Sequence, residues 1–235
     1  MKNSINIIIG IALFFILVGC NNISKNNNNP VVAKIEKITK ENTAKDISFF
    51  IPDGWHILES RLGEPVKVEG DLNKDEITDV VVVIEKDGEG DLLAPRSLLI
   101  AFGNSDETFS LSIMADNAIM RAGEGGGWGD PFESISIDRG SVLIKFFGGS
   151  NVKWYYSYRF RYENGGWYMI GATLGSTVII GDSVDFEEED YNLLTGDYIF
   201  KKYDEQGKQC ITKGNRGKKK LVNLKDFHVN SESTF

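Results

Sequence analysis

The chain has few of the residues that most often carry catalysis or covalent cross-links. It contains two cysteines, Cys20 and Cys210, two histidines, His56 and His228, and five prolines among 235 residues. The histidines lie far apart without metal-ligand spacing, and no Gly-x-Ser-x-Gly nucleophile elbow occurs. The sequence therefore offers no recognisable catalytic constellation. Its 34 acidic residues leave general acid–base work by a carboxylate pair open, without singling one pair out.

Long hydrophobic runs are also missing. The apolar stretch at residues 7–18 has twelve residues, whereas a membrane-spanning helix needs about 20. With Lys2 before it, this stretch predicts a cleaved export signal. It ends at Leu17-Val18-Gly19-Cys20, which resembles the lipobox of bacterial lipoproteins. A chance cysteine after an ordinary signal peptide is the alternative.

The lipobox resemblance implies a location in the cell. Residues 1–19 would be removed as a lipoprotein signal peptide, and Cys20 would be acylated. Several acyl chains hold a protein stably on a membrane surface. The resemblance thus implies a bacterial cell-envelope protein that is extracytoplasmic and lipid-anchored. Cys210 would then be the remaining cysteine, which rules out an intramolecular disulfide even in an oxidising compartment.

Positive charge is scarcer than negative charge. The formal net charge is −8, and removal of Lys2 with the signal makes it more negative. This balance argues against nucleic acid and against a bare anionic lipid surface as partners, because both require a basic footprint. The glycine-rich stretch at residues 123–129 lacks the Gly-Lys-Ser/Thr of a phosphate-binding loop, so a nucleotide is also not expected.

After Cys20 the sequence predicts a tether and then one β domain. Residues 20–45 begin with an asparagine-rich stretch typical of a flexible linker, and Asn29-Pro30 predicts the start of a short helix at about residues 30–41. Residues 46–228 contain short apolar runs separated by Gly, Asn and Asp, and residues 229–235 form a tail. The pattern predicts a single mainly-β domain, either an antiparallel sandwich or an open barrel-like sheet. The predicted strands are residues 47–51, 80–85, 97–102, 108–114, 135–137, 142–147, 152–162, 167–170 and 177–180.

The most informative stretch precedes the second predicted strand of the domain. Oxygen-bearing side chains occur at Asp71, Asn73, Asp75 and Asp79, which are positions 1, 3, 5 and 9 of a tight loop. Ca²⁺ takes six to eight oxygen ligands, and the backbone carbonyl of Ile77 at position 7 can supply one more. The sequence predicts a structural Ca²⁺ site here. A merely polar strand connection is the alternative.

The same residues carry a family resemblance. Asp71-Leu-Asn-Lys-Asp-Glu-Ile-Thr-Asp79 followed by Val80-Val-Val-Val83 resembles the calcium loop of FG-GAP and VCBS repeats, and Ser97 to Phe109 is similar to the second half of a VCBS repeat. The resemblance covers about residues 69–111 and implies an extracellular Ca²⁺-binding β element. Glu76 stands where the family has glycine. One copy does not make an array, so a full propeller is not expected.

Further candidates are less specific. Trp128 and Trp55 lie next to glycines and are predicted to be exposed ligand-binding residues, whereas Trp154 and Trp167 are predicted core. The acidic run at residues 182–190 is interpreted as a solvated loop, with a second cation site as the alternative, and the basic cluster at residues 213–220 as a wet hairpin. Two functions remain open. One is a non-catalytic envelope binding module whose partner is a polysaccharide, peptide or protein; the other is an extracytoplasmic hydrolase using Asp130 and Glu133.

Overall fold

The computed structural model describes residues 43–88, 90–181 and 183–229, and within these ranges the chain is mainly β. The signal peptide, Cys20, the helix expected at residues 30–41 and residues 230–235 lie outside the described residues. Two short 3₁₀ helices cover Ile47–Phe50 and Ala122–Trp128, so the strand predicted at residues 47–51 is wrong. The strands are β1 (Thr43–Ala44), β2 (Trp55–Ile57), β3 (Lys67–Gly70), β4 (Asp79–Lys86), β5 (Arg96–Gly103), β6 (Phe109–Ala115), β7 (Phe132–Asp138), β8 (Ser141–Gly149), β9 (Val152–Glu163), β10 (Gly166–Ile180), β11 (Ser183–Asn192), β12 (Asp197–Tyr203) and β13 (Gln209–Asn215).

The strands form two antiparallel sheets. The first has the order β1-β6-β5-β4-β2, and β3 pairs with the half of β4 that β2 leaves free. The second is a seven-stranded meander in which β7 to β13 follow one another in chain order. One of the two sheets curls like half a barrel, and no propeller closes within the described residues. The predicted fold class, a mainly-β antiparallel sandwich or open barrel-like sheet, is confirmed.

Apolar residues of β4 point to both faces of the first sheet, which explains the unbroken run Val80 to Ile84. Val81 and Val83 join the main core between the two sheets. Val80, Val82 and Ile84 join a second cluster on the outer face, which the first 3₁₀ helix and the following residues cover. A strand that is buried on both faces reads as a continuous hydrophobic run rather than as an alternating one.

The interpretation of the acidic run as a solvated loop is wrong. Residues 183–190 do not form a solvated loop; they belong to β11, which pairs with β10 and β12. Lys202 and Lys201 of β12 lie directly opposite Glu187 and Glu188. Opposite charges across a strand pair stabilise it, so the lysines of β12 allow an acidic segment to form a strand.

Three aromatic rings lie over glycines of the neighbouring strand in the second sheet. Trp154 covers Gly148, Tyr155 covers Gly175 and Tyr198 covers Gly214, and each pair is a direct cross-strand pair. A Cβ atom at Gly175 would lie 2.1 Å from Cζ of Tyr155, so the ring occupies the space of the missing side chain. Aromatic cover of a strand glycine is a known device for fixing register.

Gly175 also gives Tyr155 a path across the sheet. The Tyr155 hydroxyl passes over β10 and donates a hydrogen bond to Glu188 of β11, which accepts a second bond from Lys201 Nζ of β12 at 2.6 Å. Burial by itself would raise the pKa of Glu188, but the bonds from Lys201 and Tyr155 hold it below the ordinary value. This row of side chains therefore links β9, β11 and β12 across β10.

The two ends of the strands differ in character. The connections β3–β4, β5–β6, β7–β8, β9–β10 and β11–β12 lie at one end, which we call the polar end. The connections β4–β5, β6–β7, β8–β9, β10–β11 and β12–β13 lie at the other, which we call the apolar end. The sheets share these ends: Gly140 of the β7–β8 turn lies against the Asp71 carbonyl, and Arg96 at the start of β5 bonds Asp130 just before β7.

Candidate metal-binding loop

The β3–β4 connection at the polar end contains the predicted ligands. β3 and β4 pair from Lys67↔Val82 to Gly70↔Asp79, so residues 71–78 form a tight loop that closes directly on a buried strand. Asp79 is the first residue of β4. Three of the four predicted oxygen side chains thus lie in the loop, and the fourth lies at its junction with β4.

Asp79 is the buried centre of the loop. Its side chain is 0% exposed, and its two carboxylate oxygens accept the backbone N–H of Leu72 at 2.8 Å and that of Gly103 at 2.9 Å. Burial raises the pKa of Asp79 above its ordinary value, while these two bonds oppose the shift. Among the ion pairs of the described residues, none involves Asp79.

The other oxygen side chains are turned inward on the loop backbone. Asp71 accepts the N–H groups of Lys74 at 2.6 Å and of Glu76 at 3.2 Å. Asn73 accepts the N–H of Asp75 at 3.1 Å. Each oxygen that accepts one N–H keeps a second lone pair. The loop is therefore organised around its oxygen atoms rather than extended into solvent.

The backbone takes the turn that the family resemblance requires at Glu76. Lys74 and Glu76 have φ values of 68° and 67°. A residue with a Cβ atom in this left-handed region costs roughly 1 kcal/mol or more relative to glycine. The turn forms despite the absence of glycine at this position.

The donor chemistry of the loop fits Ca²⁺, although its carboxylates do not meet at one point. Three carboxylates and an amide oxygen are the ligands that hard cations prefer. Within residues 43–88, 90–181 and 183–229, no group of three or more His, Cys, Asp or Glu side chains converges closely enough to hold a metal ion. Cation binding therefore requires the side chains of Asp71, Asn73 and Asp75 to turn toward Asp79.

The raised pKa of Asp79 predicts a pH dependence in metal-free buffer. A carboxyl group whose pKa is higher in the folded state than the ordinary 3.8 stabilises the fold at low pH and loses that contribution as the pH rises through the folded pKa. We expect the free energy of unfolding of Asp79→Asn, relative to wild type in EDTA, to rise with pH across this window. Urea titrations at several pH values measure it, and a relative fall with rising pH would contradict it.

The two predicted ligand tryptophans differ in position. Trp128 ends the second 3₁₀ helix at the apolar end and is 44% exposed. Its ring packs edge-on against Phe147 at 4.7 Å, and the Lys153 ammonium lies 5.2 Å from the ring centroid. Trp55 was predicted to be exposed, but it is partly buried and packs against the outer-face cluster. Trp128 is thus the tryptophan that a partner can reach.

The predicted hydrolase residues belong to an ion-pair network. Asp130 accepts two hydrogen bonds from Arg96, at 2.8 and 2.7 Å, and Arg96 also bonds Glu85 at 2.6 Å. Burial alone would raise the pKa of Asp130, but the Arg96 guanidinium holds it below the ordinary value. Glu133 lies on the surface, 4.0 Å from Arg61. A carboxylate held in this way is a poor proton donor near neutral pH.

Sequence reasoning missed Arg96, which is 3% exposed at the start of β5. Its partners lie 11 and 34 residues away. The available signal was a single arginine beginning the apolar run Ser97-Leu-Leu-Ile100.

No protein-family model, curated protein or solved structure matches this chain. None of the helices in the described part of the chain combines the length and the apolar character needed to cross a membrane.

Proposed function

We propose that this chain is a lipid-anchored protein of the bacterial cell envelope whose β domain is a non-catalytic binding module with a structural Ca²⁺ loop at Asp71, Asn73, Asp75, Ile77 and Asp79. Acylated Cys20 would hold it on the extracytoplasmic side of a membrane. The observation that carries the metal assignment is Asp79, a fully buried carboxylate that shares its loop with three further oxygen side chains.

The position of the loop suggests what the cation does. Asp79 joins three parts of the chain, because it begins β4 and accepts N–H groups from the loop and from the end of β5. A cation beside its carboxylate would neutralise a charge that burial disfavours. Ca²⁺ would thus fix the entry to the central strand pair β4–β5, a structural role without turnover.

The partner would be a polysaccharide or protein of the envelope, with no nucleic acid or nucleotide involved. The acidic net charge supports the exclusion of nucleic acid. The non-catalytic assignment is supported by Asp130, whose two oxygens are held by Arg96.

Thermal unfolding of the protein in EDTA and in increasing Ca²⁺ tests the metal site. A ligand at 100 times its dissociation constant stabilises a protein by about 2.7 kcal/mol, so we expect the midpoint to rise with Ca²⁺. The Asp75→Ala variant should lose most of this response, because it removes an exposed loop ligand and leaves buried Asp79 in place.

The matched control is Asp106→Ala in the β5–β6 turn. Asp106 also caps a turn at the polar end, accepting the N–H of Thr108 at 3.2 Å, but it lies outside the loop. This variant should keep the full Ca²⁺ response. If wild type shows no shift up to millimolar Ca²⁺, or if both variants respond equally, the metal proposal is wrong. Mass spectrometry of the tryptic peptide that begins at Cys20 tests the anchor separately.

A further inference from the structure

The apolar end exposes an unusual share of the large hydrophobic side chains. Leu92 and Leu93 in the β4–β5 connection are 63% and 60% exposed, and Ile179 at the end of β10 is 73% exposed. The other exposed members at this end are Trp128, Val152, Ile180, Val184 and Tyr203. Contiguous exposed apolar surface marks an interaction site on a soluble domain.

These residues belong to one surface because their connections bind one another. The Gly123 N–H donates to the Leu92 carbonyl at 2.7 Å, which joins the β4–β5 connection to the second 3₁₀ helix. The Gly127 N–H donates to Ser150 Oγ at 2.9 Å, which joins that helix to the β8–β9 turn. Val152, just after this turn, pairs with Val178 beside the tip of β10.

The polar end shows the opposite composition. Among the described residues, the connections at that end present side chains such as Lys74, Glu107, Arg139 and Asn164, and Leu111 near the start of β6 is the one large hydrophobic side chain exposed beside them. Scattered surface leucines would be distributed over both ends. Most of the exposed large hydrophobic side chains are thus concentrated at the apolar end.

The length of the chain before β1 relates the apolar end to the proposed anchor. Thr43 pairs with Ser110 and Ala44 with Phe109, so β1 runs antiparallel to β6. Thr43 lies opposite Ser110, beside the polar end, so the chain before it must span the length of β6 for the apolar end to face the membrane. Cys20 precedes Thr43 by 23 residues, which extend at most about 80 Å. A lipid on Cys20 would therefore keep the domain at high effective concentration beside the bilayer.

We infer that the apolar end docks on the surface of the same bilayer that holds the lipid anchor, with Leu92, Leu93, Trp128, Ile179 and Ile180 entering the boundary between headgroups and acyl chains. This inference rests on the proposed function, because it takes the anchor at Cys20 as given. Tryptophan at the rim of such a contact is typical of membrane interfaces, where its ring is apolar and its N–H remains hydrated.

Charge at this end selects the kind of lipid. Acidic residues such as Asp91, Glu124 and Asp204 outnumber the basic ones in these connections, where Arg121 and Lys208 lie, with Lys153 just after the β8–β9 turn. The contact must therefore depend on apolar burial, with zwitterionic lipid favoured over anionic lipid. It should also be insensitive to salt. The polar end, with the candidate Ca²⁺ loop, would then face away from the membrane.

Tryptophan quenching in the anchored protein tests this inference. The purified lipidated protein is reconstituted into phosphatidylcholine vesicles with and without brominated acyl chains, and tryptophan emission is compared between wild type and Trp128→Phe. We expect brominated lipid to quench wild type, with most of the quenching absent in Trp128→Phe. The Leu92→Ser/Leu93→Ser variant should weaken docking by roughly 10- to 100-fold, because two exposed leucines lose their apolar contact.

The control variant is Phe49→Ser. Phe49 is comparably exposed, at 63%, but it lies in the first 3₁₀ helix on the outer face of the first sheet. It should leave the quenching unchanged. Equal quenching of wild type and Trp128→Phe, or equal loss in the serine variants, overturns the inference. Quenching that rises with anionic phosphatidylglycerol and falls in high salt also overturns it.

The two proposals fail in different ways. If Cys20 carries acyl chains and Trp128 is not quenched, the anchor stands and the docking inference is wrong. If Cys20 carries none, the anchor is wrong, and quenching by added vesicles still tests the apolar end. Acrylamide quenching tests the other occupants of this surface. If Trp128 is protected from acrylamide only when a soluble polysaccharide is added, the surface binds a glycan and the inference is wrong. If protection rises with protein concentration in the absence of lipid, the surface binds a second copy of the chain and the inference is also wrong.

Discussion

Arg96→Ala is expected to destabilise the domain by about 3–5 kcal/mol, the range found when one partner of a buried ion pair is removed. Arg96 bonds Glu85, Asp130 and the carbonyl oxygen of Met120. Without the guanidinium, two carboxylates lose their countercharge, and the connection that carries Asp130 loses its attachment to β5. Urea unfolding measures the change as a lower midpoint, with the m-value largely unchanged.

Arg159→Ala provides the comparison. Arg159 pairs with Asp138 at 3.0 Å on the surface of the second sheet, where an exposed ion pair contributes about 0–1 kcal/mol. If Arg96→Ala costs no more than Arg159→Ala, the buried network does not stabilise the fold as described. The pH dependence gives a second check. The pKa of Asp130 is lowered from 3.8, so its contribution is present above that pH and is lost as the pH falls through the folded pKa.

Gly103→Ala is expected to cost about 1–3 kcal/mol or more, as overpacking does, and to reduce the response to Ca²⁺. A Cβ atom there would lie 2.3 Å from the Thr78 carbonyl oxygen and 2.8 Å from Cγ2 of Ile77. The backbone of β5 would have to move away from the loop, which would break the bond from the Gly103 N–H to Asp79. Unfolding in EDTA and in Ca²⁺ separates the loss of stability from the loss of metal binding.

Gly171→Ala is the matched glycine variant. Gly171 is also a strand residue, in β10, but the nearest atom to its Cβ would be the Tyr191 carbonyl oxygen at 3.5 Å, an ordinary contact. It should change stability little and keep the full Ca²⁺ response. A Gly103→Ala protein with wild-type stability would show that β5 is not packed tightly on the loop.

Strand locations could be predicted where the pattern is local. The apolar run of β4 and the aromatic alternation of β9 each predict a strand from a dozen residues or fewer. Two-sided burial of β4 could not be predicted, because the cover on its outer face comes from Ile47 and Phe50, some thirty residues earlier in the chain. The strand character of β11 was missed for a similar reason: its stabilising lysines lie on β12.

The candidate site likewise has features that are local in the sequence and features that depend on distant residues. The spacing of Asp71, Asn73, Asp75 and Asp79 is local, so a single β3–β4 connection and the first residue of β4 contain all four. The bond from Gly103 to Asp79 spans 24 residues, so only the pairing of β4 with β5 reveals it. Trp55 looked exposed because a glycine precedes it, whereas the cluster that buries it includes Phe109 and Met114 of the distant β6.

The rings that cover glycines in the second sheet have a consequence for comparing this protein with its relatives. At Gly148, Gly175 and Gly214 a side chain and a facing ring would compete for the same space, so neither position of a pair can change freely on its own. In homologous sequences these positions should vary as pairs, with a larger residue at the glycine wherever Trp154, Tyr155 or Tyr198 has become small. Covariation at those three pairs would identify a distant relative that shares this meander even where overall identity is low.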